Sequence, residues 1–330
     1  MTKKIEINLS SDTPVGISKT MGLAQISFSE ALDELKPDLI LILGDRYEII
    51  SAIMAALIIG IPIAHLNGGE LTEGLIDEAI RHSLTKMSHL HFVATETYRN
   101  RVIQLGEQPK NVFNVGEAGL DNIFNLDLLS KDDFEASIGM TLDKRNILVT
   151  YHPVTLDYNN SEQHFNEILS SLDKLEGTKI IFTKANSDTG GRIINKMIDD
   201  YVKKNAHKSV CFTSLGQLRY LSALQYIDAI VGNSSSGLVE APSFKIGTIN
   251  IGDRQKGRIQ AISVINCTPK TPNVDVALDK LYSVEFQNQL AKTINPYGTG
   301  GSSEKIISII KDIDLKKLIP KAFYDIEVKL

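Results

Sequence analysis

Short apolar runs rich in Ile, Val and Leu alternate along the chain with segments of helical, amphipathic spacing. Continuous apolar runs of this kind are typical of strands buried on both faces. The predicted strands cover 5–9, 39–44, 61–66, 90–95, 112–116, 146–152, 179–185, 210–214, 229–233 and 247–252. The predicted helices between them cover 18–35, 48–59, 76–87, 96–105, 161–174, 189–204 and 215–226. This alternation indicates βαβ units and parallel sheets with helices on both faces.

A polar stretch at 130–146 separates two series of strands. We therefore predict an α/β protein with two doubly wound, Rossmann-like domains, 1–145 and 146–300, that face each other across a cleft. The remaining segment, 301–330, contains a predicted helix from Ser302 to Ile313, which we expect to pack back on the first domain. A length of 330 residues agrees with two domains.

The opening of the chain differs from that of an ordinary doubly wound domain, which begins with a hydrophobic strand and a tight loop. Here a short strand is followed by the polar sequence SSDTPVG. We therefore expect the first domain to lack a part of the usual opening, and the family resemblance given below implies that this part is its N-terminal strand and helix. The strand at 39–44 would then have an open edge and exposed apolar side chains, which would make this domain less stable than the second.

Composition and charge narrow the functional classes. The net charge is −5 and the isoelectric point is about 5.8, which argues against nucleic acid or an anionic membrane as a partner. The N-terminus has no signal-peptide pattern. The uncharged run 49–69 is broken at Gly60-Ile61-Pro62, so we interpret it as a buried helix, a turn and a buried strand rather than a membrane span.

Candidate metal ligands are few. Cys211 and Cys267 are far apart and lack the spacing of a zinc site or a disulfide framework, which fits a protein of the cytoplasm. His89 and His91 alternate on a predicted strand, but no third ligand has a matching spacing, so we favour packing over metal binding for both.

The strongest candidate site is the segment AIVGNSSSGLVEAPSF, where a predicted strand turns into a helix. Ser234 and Ser235 lie in the turn, Gly237 opens the helix and Glu240 lies one turn further. Backbone N–H groups and serine hydroxyls in such a turn bind a diphosphate, and Glu240 is placed to accept hydrogen bonds from a ribose. Plain N-capping by serine is the alternative. Three serines followed by Gly and Glu favour the ligand site.

Charged side chains follow two strands of the first domain. Asp45 and Arg46 come directly after the strand at 39–44, Glu70 follows the next strand, and Asp77 and Glu78 begin the next helix. Carboxylates that converge at one sheet edge have their pKa values pushed apart, which provides an acid and a base. The alternatives are a solvated turn at Asp45 and a helix-dipole role for Asp77 and Glu78.

Polar residues also follow strands of the second domain. His152 ends the strand at 146–152 in the sequence YHPVT, where its imidazole could donate to a phosphate or simply be a structural histidine. Lys184, Asn186 and Arg254 lie in polar loops after later strands and are candidate nucleotide contacts.

Seven segments together resemble the hydrolysing UDP-N-acetylglucosamine 2-epimerase family, in the branch that leads to sialic and legionaminic acids. They are GDRYE (44–48), HLNGGELTEGLIDEAIRHSLTKMSHLHF (65–92), RVIQLGE (101–107), YHPVT (151–155), NSDTGG (186–191), GNSSSGLVE (232–240) and NIGDRQKGR (250–258). The segment 10–24 most resembles the legionaminic branch, whose substrate is UDP-N,N′-diacetylbacillosamine.

The resemblance implies a glycosyltransferase-B-like fold with UDP in the cleft between the domains. The UDP-binding residues that it implies are Arg46, His152, Asn186, Ser234, Ser235, Glu240 and Arg254, beside Gly237, which the serine turn itself indicates. It implies catalytic roles for Asp45 and Asp77. Some relatives have Glu where this chain has Asn67, and we take Glu70 as the substitute. It implies no redox cofactor and no metal, and a cytoplasmic homo-oligomer, either a dimer or a tetramer.

The implied reaction is elimination of UDP with loss of the C2 proton, followed by hydration of the glycal to the free 2-epimeric sugar. Two alternatives stay open at this point. One is a glycosyltransferase on the same fold, which would need an acceptor. The other is a truncated, inactive homologue that only binds UDP. The sugar, GlcNAc or diacetylbacillosamine, stays open as well.

Overall fold

The computed structural model describes residues 4–5, 13–72, 76–153, 160–185 and 191–327. Its strands are β1 (Ile40–Leu43), β2 (Ile63–Leu66), β3 (Leu90–Val93), β4 (Val112–Asn114), β5 (Arg145–Thr150), β6 (Thr178–Thr183), β7 (Ser209–Phe212), β8 (Ala229–Gly232), β9 (Gly247–Ile251) and β10 (Val264–Cys267). Its α-helices are α1 (Pro14–Leu35), α2 (Tyr47–Ile59), α3 (Ile76–Met87), α4 (Glu96–Gln104), α5 (Asp121–Asn125), α6 (Lys131–Ile138), α7 (Ser161–Asp173), α8 (Gly191–Lys204), α9 (Gly216–Ala223), α10 (Ser236–Val239), α11 (Thr271–Leu281), α12 (Val284–Leu290) and α13 (Ser302–Asp312).

The chain divides into two compact units. The first consists of Met1–Leu71, Ile76–Asp121 and Gly300–Leu330, and the second of Thr72–Leu75 and Asn122–Thr299. This division differs from the expected boundary at 145, because the polar stretch after residue 130 folds as α6. Phe134 and Ile138 of α6 are buried in the core of the second unit.

The sheet of the first unit is parallel, with the strand order β1-β2-β3-β4. Within the described residues β1 pairs with β2 alone, and its side chains Leu41 and Leu43 are 51% and 58% exposed. The strand predicted at 5–9 lies outside the described residues except for Ile5.

Helix α2 forms the first part of the uncharged run 49–69, and the expectation of a buried helix is wrong for one of its faces. Ile53 and Ala56 are fully buried, whereas Ile58 is 85% exposed. The helix ends at Gly60, which has a left-handed conformation (φ 82°), and β2 follows after Pro62. No helix in the described part of the chain is both long enough and apolar enough to cross a membrane.

The sheet of the second unit has six parallel strands in the order β10-β9-β8-β5-β6-β7. Counted from β5, this is the 3-2-1-4-5-6 order of doubly wound nucleotide-binding domains. Strands β6 and β7 follow β5 on one side of the sheet, and β8, β9 and β10 follow on its other side. The carboxyl ends of the adjacent strands β5 and β8 therefore form the switch point at which such sheets bind ligands. Strand β10 and helices α11 and α12 were not predicted.

The helix predicted at 302–313 is α13, and the structure groups it with the first unit. Its residue Ile306 is buried in a cluster with Ala64 and Leu90 of the sheet. The Asp121 carboxylate accepts hydrogen bonds from the N–H groups of Ser302 (3.0 Å) and Ser303 (2.7 Å). These bonds satisfy two of the free N–H groups at the helix start.

Gly232, the last residue of β8, gives the first testable prediction. It has φ 133°, and a Cβ atom at this position would overlap the carbonyl oxygen of Thr150 on β5. Gly232→Ala should therefore lower the free energy of unfolding of the second unit by roughly 2–4 kcal/mol, as measured by urea denaturation.

Gly177→Ala is the matched control for this substitution. Gly177 also has a positive φ (58°), but no atom lies within 4 Å of an added Cβ. Only the backbone penalty of about 1 kcal/mol applies there. Equal losses for the two variants would show that the contact with Thr150 is not what excludes a side chain at Gly232.

Candidate functional site

Asn233 ties together the carboxyl ends of β5 and β8 in the second unit. Its Oδ1 accepts a hydrogen bond from the backbone N–H of His152, and its Nδ2 donates to the carbonyl of His152, both at 2.7 Å. Because the amide satisfies both backbone polar groups of one residue, it fixes the chain just after β5. Asn233 is not among the site residues predicted from the sequence. Its position directly after the apolar strand β8 is the sequence feature that points to it.

The loop at 252–258 closes on the same point. Arg254 Nη1 donates to the carbonyl of Asn233 at 3.1 Å, and Gln255 Nε2 donates to it at 2.8 Å. The structure thus brings the predicted residues His152 and Arg254 together at the carboxyl ends of β5 and β8.

The serine turn follows directly. Ser235 occupies the N-cap position of α10 but makes no capping hydrogen bond with its side chain, so simple capping does not account for it. Ser234 Oγ accepts from the N–H of Ser236 at 3.4 Å. Gly237 lies against Thr248, whose hydroxyl donates to the Gly237 carbonyl at 2.6 Å. A Cβ atom at Gly237 would lie 2.5 Å from Thr248 Cγ2, so the turn has no room for a side chain there.

Glu240 comes directly after α10 as its C-cap residue, whereas the sequence predicted it inside the helix. The hydroxyl of Tyr220 donates to Ser236 Oγ at 2.6 Å. Burial, and then the charge of nearby Glu240, raise the pKa of Tyr220, so its hydroxyl remains protonated.

Two further residues were predicted as nucleotide contacts. Asn186 lies outside the described residues, and Lys184 pairs with Asp199 at 2.8 Å.

A buried ion pair dominates the corresponding edge of the first unit. Arg81 of α3 is only 1% exposed, and its guanidinium pairs with Asp45, the second residue after β1. It also lies 3.5 Å from Glu78, one turn earlier on α3. A buried guanidinium requires such partners, because an uncompensated buried charge is very costly. Arg81 is not among the site residues predicted from the sequence; it lies on the same face of α3 as buried Leu84.

His65 of β2 holds the peptide that precedes Asp45. Its Nε2 donates to the carbonyl of Gly44 at 2.8 Å, and its Nδ1 lies 3.2 Å from the hydroxyl of Thr85 on α3. Burial lowers the pKa of His65 to about 4, so the imidazole is neutral at physiological pH. His65 therefore links β1, β2 and α3 through hydrogen bonds.

The other predicted residues of the first unit have different surroundings. Glu70 is buried after Gly69, and Asp77 is half-buried in the first turn of α3. Arg46 is largely exposed, pairs with Glu48 at 3.2 Å and lies over the ring of Tyr47. Glu78 accepts a hydrogen bond from His82 at 3.1 Å and forms an ion pair with Arg81 at 3.5 Å, so it does more than complement the helix dipole.

The two histidines flanking Leu90 have protein partners, as the packing interpretation requires. His89 Nδ1 accepts from the N–H of Ile63 at 3.2 Å, and His91 Nε2 donates to Glu107 at 2.9 Å. Burial lowers the pKa of both imidazoles. In the described parts of the chain, no group of three or more His, Cys, Asp or Glu residues is arranged to hold a metal ion.

Comparisons with known proteins agree with the resemblance seen in the sequence. Residues 1–311 match the family model described as UDP-N-acetylglucosamine 2-epimerase. The chain is 45% identical over 327 residues to GDP/UDP-N,N′-diacetylbacillosamine 2-epimerase (hydrolyzing) of Campylobacter jejuni, covering 99% of this chain and 85% of that protein. It is 38% identical to polysialic acid biosynthesis protein P7 of Escherichia coli, covering 98% and 83%.

A solved structure shows the same fold. It is the UDP-GlcNAc 2-epimerase of Neisseria meningitidis bound to UDP-GlcNAc, with a TM-score of 0.79 and 19% sequence identity. The match covers 90% of this chain and 82% of that one. This similarity confirms the prediction of two parallel-sheet α/β domains of the glycosyltransferase-B type.

The neutral state of His65 predicts a dependence of stability on pH. The pKa rises from about 4 in the folded protein to 6.5 in the unfolded chain, so the unfolded state binds a proton between these values and the folded state does not. The contribution of neutral His65 to the free energy of unfolding is fully present above pH 6.5 and is lost as the pH falls towards 4. At pH 5 the loss amounts to about 2 kcal/mol.

His65→Gln tests this directly, because glutamine can still donate to the Gly44 carbonyl but does not titrate. The other buried histidines are present in both proteins, so their contribution cancels. We expect urea denaturation at pH 7 and pH 5 to show a smaller loss for the variant than for the parent protein. The same loss in both would exclude His65 as the source.

Proposed function

Because the chain belongs to the UDP-N-acetylglucosamine 2-epimerase family, we propose that it is a hydrolysing 2-epimerase of a UDP-linked 2-acetamido sugar. The 45% identical relative, named for a hydrolysing reaction on GDP- or UDP-N,N′-diacetylbacillosamine, supports UDP-N,N′-diacetylbacillosamine as the substrate. The relative named for polysialic acid biosynthesis supports a place in the synthesis of nonulosonic acids.

The observation that carries this proposal in the first unit is the pairing of Asp45 with buried Arg81. The reaction begins when a base removes the proton on C2, the C1–O bond to UDP breaks, and the diphosphate leaves with the bonding electrons. Water then adds to the glycal, with its hydroxyl on C1 and a proton on C2. Both halves require a fixed acid–base group. We assign this role to Asp45, with Asp77 and Glu70 as the further carboxyl groups.

The second unit supplies the UDP-binding groups in this proposal. The departing diphosphate carries negative charge, which cations and hydrogen-bond donors stabilise. We assign these contacts to His152, Ser234, Ser235 and Arg254, with the backbone at Gly237. Glu240 is assigned to the ribose hydroxyls. The first unit contributes Arg46, and Asn186, outside the described residues, completes the assignment.

The function is tested by incubating the protein with UDP-N,N′-diacetylbacillosamine in ²H₂O with no acceptor. We expect UDP release and a free 2-epimeric sugar with deuterium at C2, because that proton comes from water. Release of UDP without deuterium at C2 would exclude elimination and hydration. Release that needs an acceptor would indicate a glycosyltransferase, and UDP binding without turnover an inactive homologue. UDP-GlcNAc in parallel identifies the sugar.

Two substitutions should affect different kinetic constants, one kcat and the other KM. Asp45→Asn should lower kcat by about 100-fold, because the amide is no longer an acid–base group.

Glu240→Gln should raise KM by about 10-fold and leave kcat within about 2-fold, because a ribose contact is equally strong in the ground state and the transition state. Near-normal turnover of Asp45→Asn, or a lost kcat with normal KM for Glu240→Gln, would refute the respective role.

A further inference from the structure

A second buried charge cluster lies in the first unit, centred on Glu107. The side chain of Glu107 is buried, and its carboxylate accepts from Lys86 at 2.7 Å, from Lys321 at 2.8 Å and from His91 at 2.9 Å. Burial alone would raise the pKa of Glu107, but hydrogen bonds from His91, Lys321 and Lys86 outweigh it and lower the pKa to about 2. The cluster thus joins α3, β3 and the C-terminal segment around one ionised carboxylate.

Lys321 also caps α3. Its Nζ donates to the carbonyls of Lys86 and Ser88, both at 2.6 Å. The last carbonyls of a helix have no partner within the helix, and a cation near them is favoured by the helix dipole. With three acceptors for its three N–H groups, the Lys321 ammonium is saturated at one fixed place. Its position therefore defines where the C-terminal end of α3 lies.

The segment around Lys321 is itself seated on the loop after α4. The N–H of Tyr324 donates to the carbonyl of Gly106 at 2.9 Å. The ring of Phe323 covers the backbone at Gly106 so closely that a Cβ atom there would overlap it. The ammonium of Lys86 lies 4.9 Å from the centre of the same ring. The C-terminal segment is thus held by a main-chain bond, a ring contact and the charge cluster.

We propose that the C-terminal segment 321–324 is a positioning element for helix α3, with Lys321 as its positioning residue. Helix α3 carries Asp77 and Glu78 in its first turn and Arg81 one turn later, and Arg81 holds Asp45. A twelve-residue helix is a rod of about 18 Å, so fixing one end restricts the other. The kinetic part of this proposal rests on the proposed function, in which a displacement of about 1 Å costs up to 100-fold in rate.

The test is Lys321→Met, which keeps the aliphatic stem and removes the charge and the donors. We expect kcat to fall by about 10-fold, while KM and the affinity for UDP, measured by calorimetry, stay within about 2-fold. Lys321→Arg should restore most of kcat. The control is Lys317→Met, which removes an 84% exposed lysine paired only at the surface with Asp314 and should leave kcat unchanged.

Amide hydrogen exchange gives a readout that does not depend on turnover. In Lys321→Met, exchange should accelerate at least 10-fold along α3 as far back as residues 80–82, and in Lys317→Met it should not. Phe323→Ala, which keeps every charge, should show a smaller change in the same direction. Failure of the parent protein to release UDP would refute the proposed function, and the exchange data would still decide the positioning role.

Unchanged kcat in folded Lys321→Met would overturn the proposal. So would accelerated exchange confined to residues 84–88, because the cap would then stabilise only the last turn of the helix. A loss of kcat that Lys321→Arg does not restore would also contradict it.

Discussion

The first unit depends on the need to neutralise one buried guanidinium. Arg81 is almost entirely buried, and a buried charge is very costly unless it has charged or hydrogen-bonding partners. Its partner Asp45 lies 36 residues earlier and has to leave β1 at the place where α3 presents Arg81. The pair thus couples the end of a strand to the middle of a helix, and His65 reinforces this link through the Gly44 carbonyl and the Thr85 hydroxyl. Removing Asp45 would leave the buried Arg81 guanidinium with Glu78 as its remaining ion-pair partner among the described contacts.

The second unit solves the related problem of fixing two strand ends with a neutral group. Asn233 presents one donor and one acceptor to the two polar groups of a single residue, His152. Aspartate has no N–H donor for the His152 carbonyl, and leucine would leave both groups unsatisfied at a cost of about 1–3 kcal/mol each. Asn233 in turn offers its own carbonyl to Arg254 and Gln255, so one residue orders three loop positions at the switch point.

Most of the fold could be predicted from the periodicity, because buried parallel strands and amphipathic helices leave strong local patterns. Strand β10 escaped prediction because Asn266 interrupts a short, only partly buried run. The division of the chain differs from the predicted boundary because α6 is largely polar, and its two buried residues, Phe134 and Ile138, pack into the second unit. Arg81 and Asn233 were missed for a different reason. Their partners lie 36 and 81 residues away, and a single sequence contains no signal that pairs them. A charged residue on a helix is normally solvated, so local reasoning assigns Arg81 to the surface.

Helix α3 illustrates how such long-range pairs act together. It receives Asp45 from upstream, Glu107 from the loop after α4, and Lys321 from 235 residues beyond Lys86. Its buried face consists of the apolar side chain of Leu84 together with the polar side chains of Arg81 and Thr85. Apolar contacts are non-directional and tolerate sliding, whereas ion pairs and terminal carbonyl caps have one geometry that satisfies every group. The charged contacts in the middle and at the C-terminal end of α3 therefore add directional constraints to its core contacts, on the helix that carries Asp77, Glu78 and Arg81.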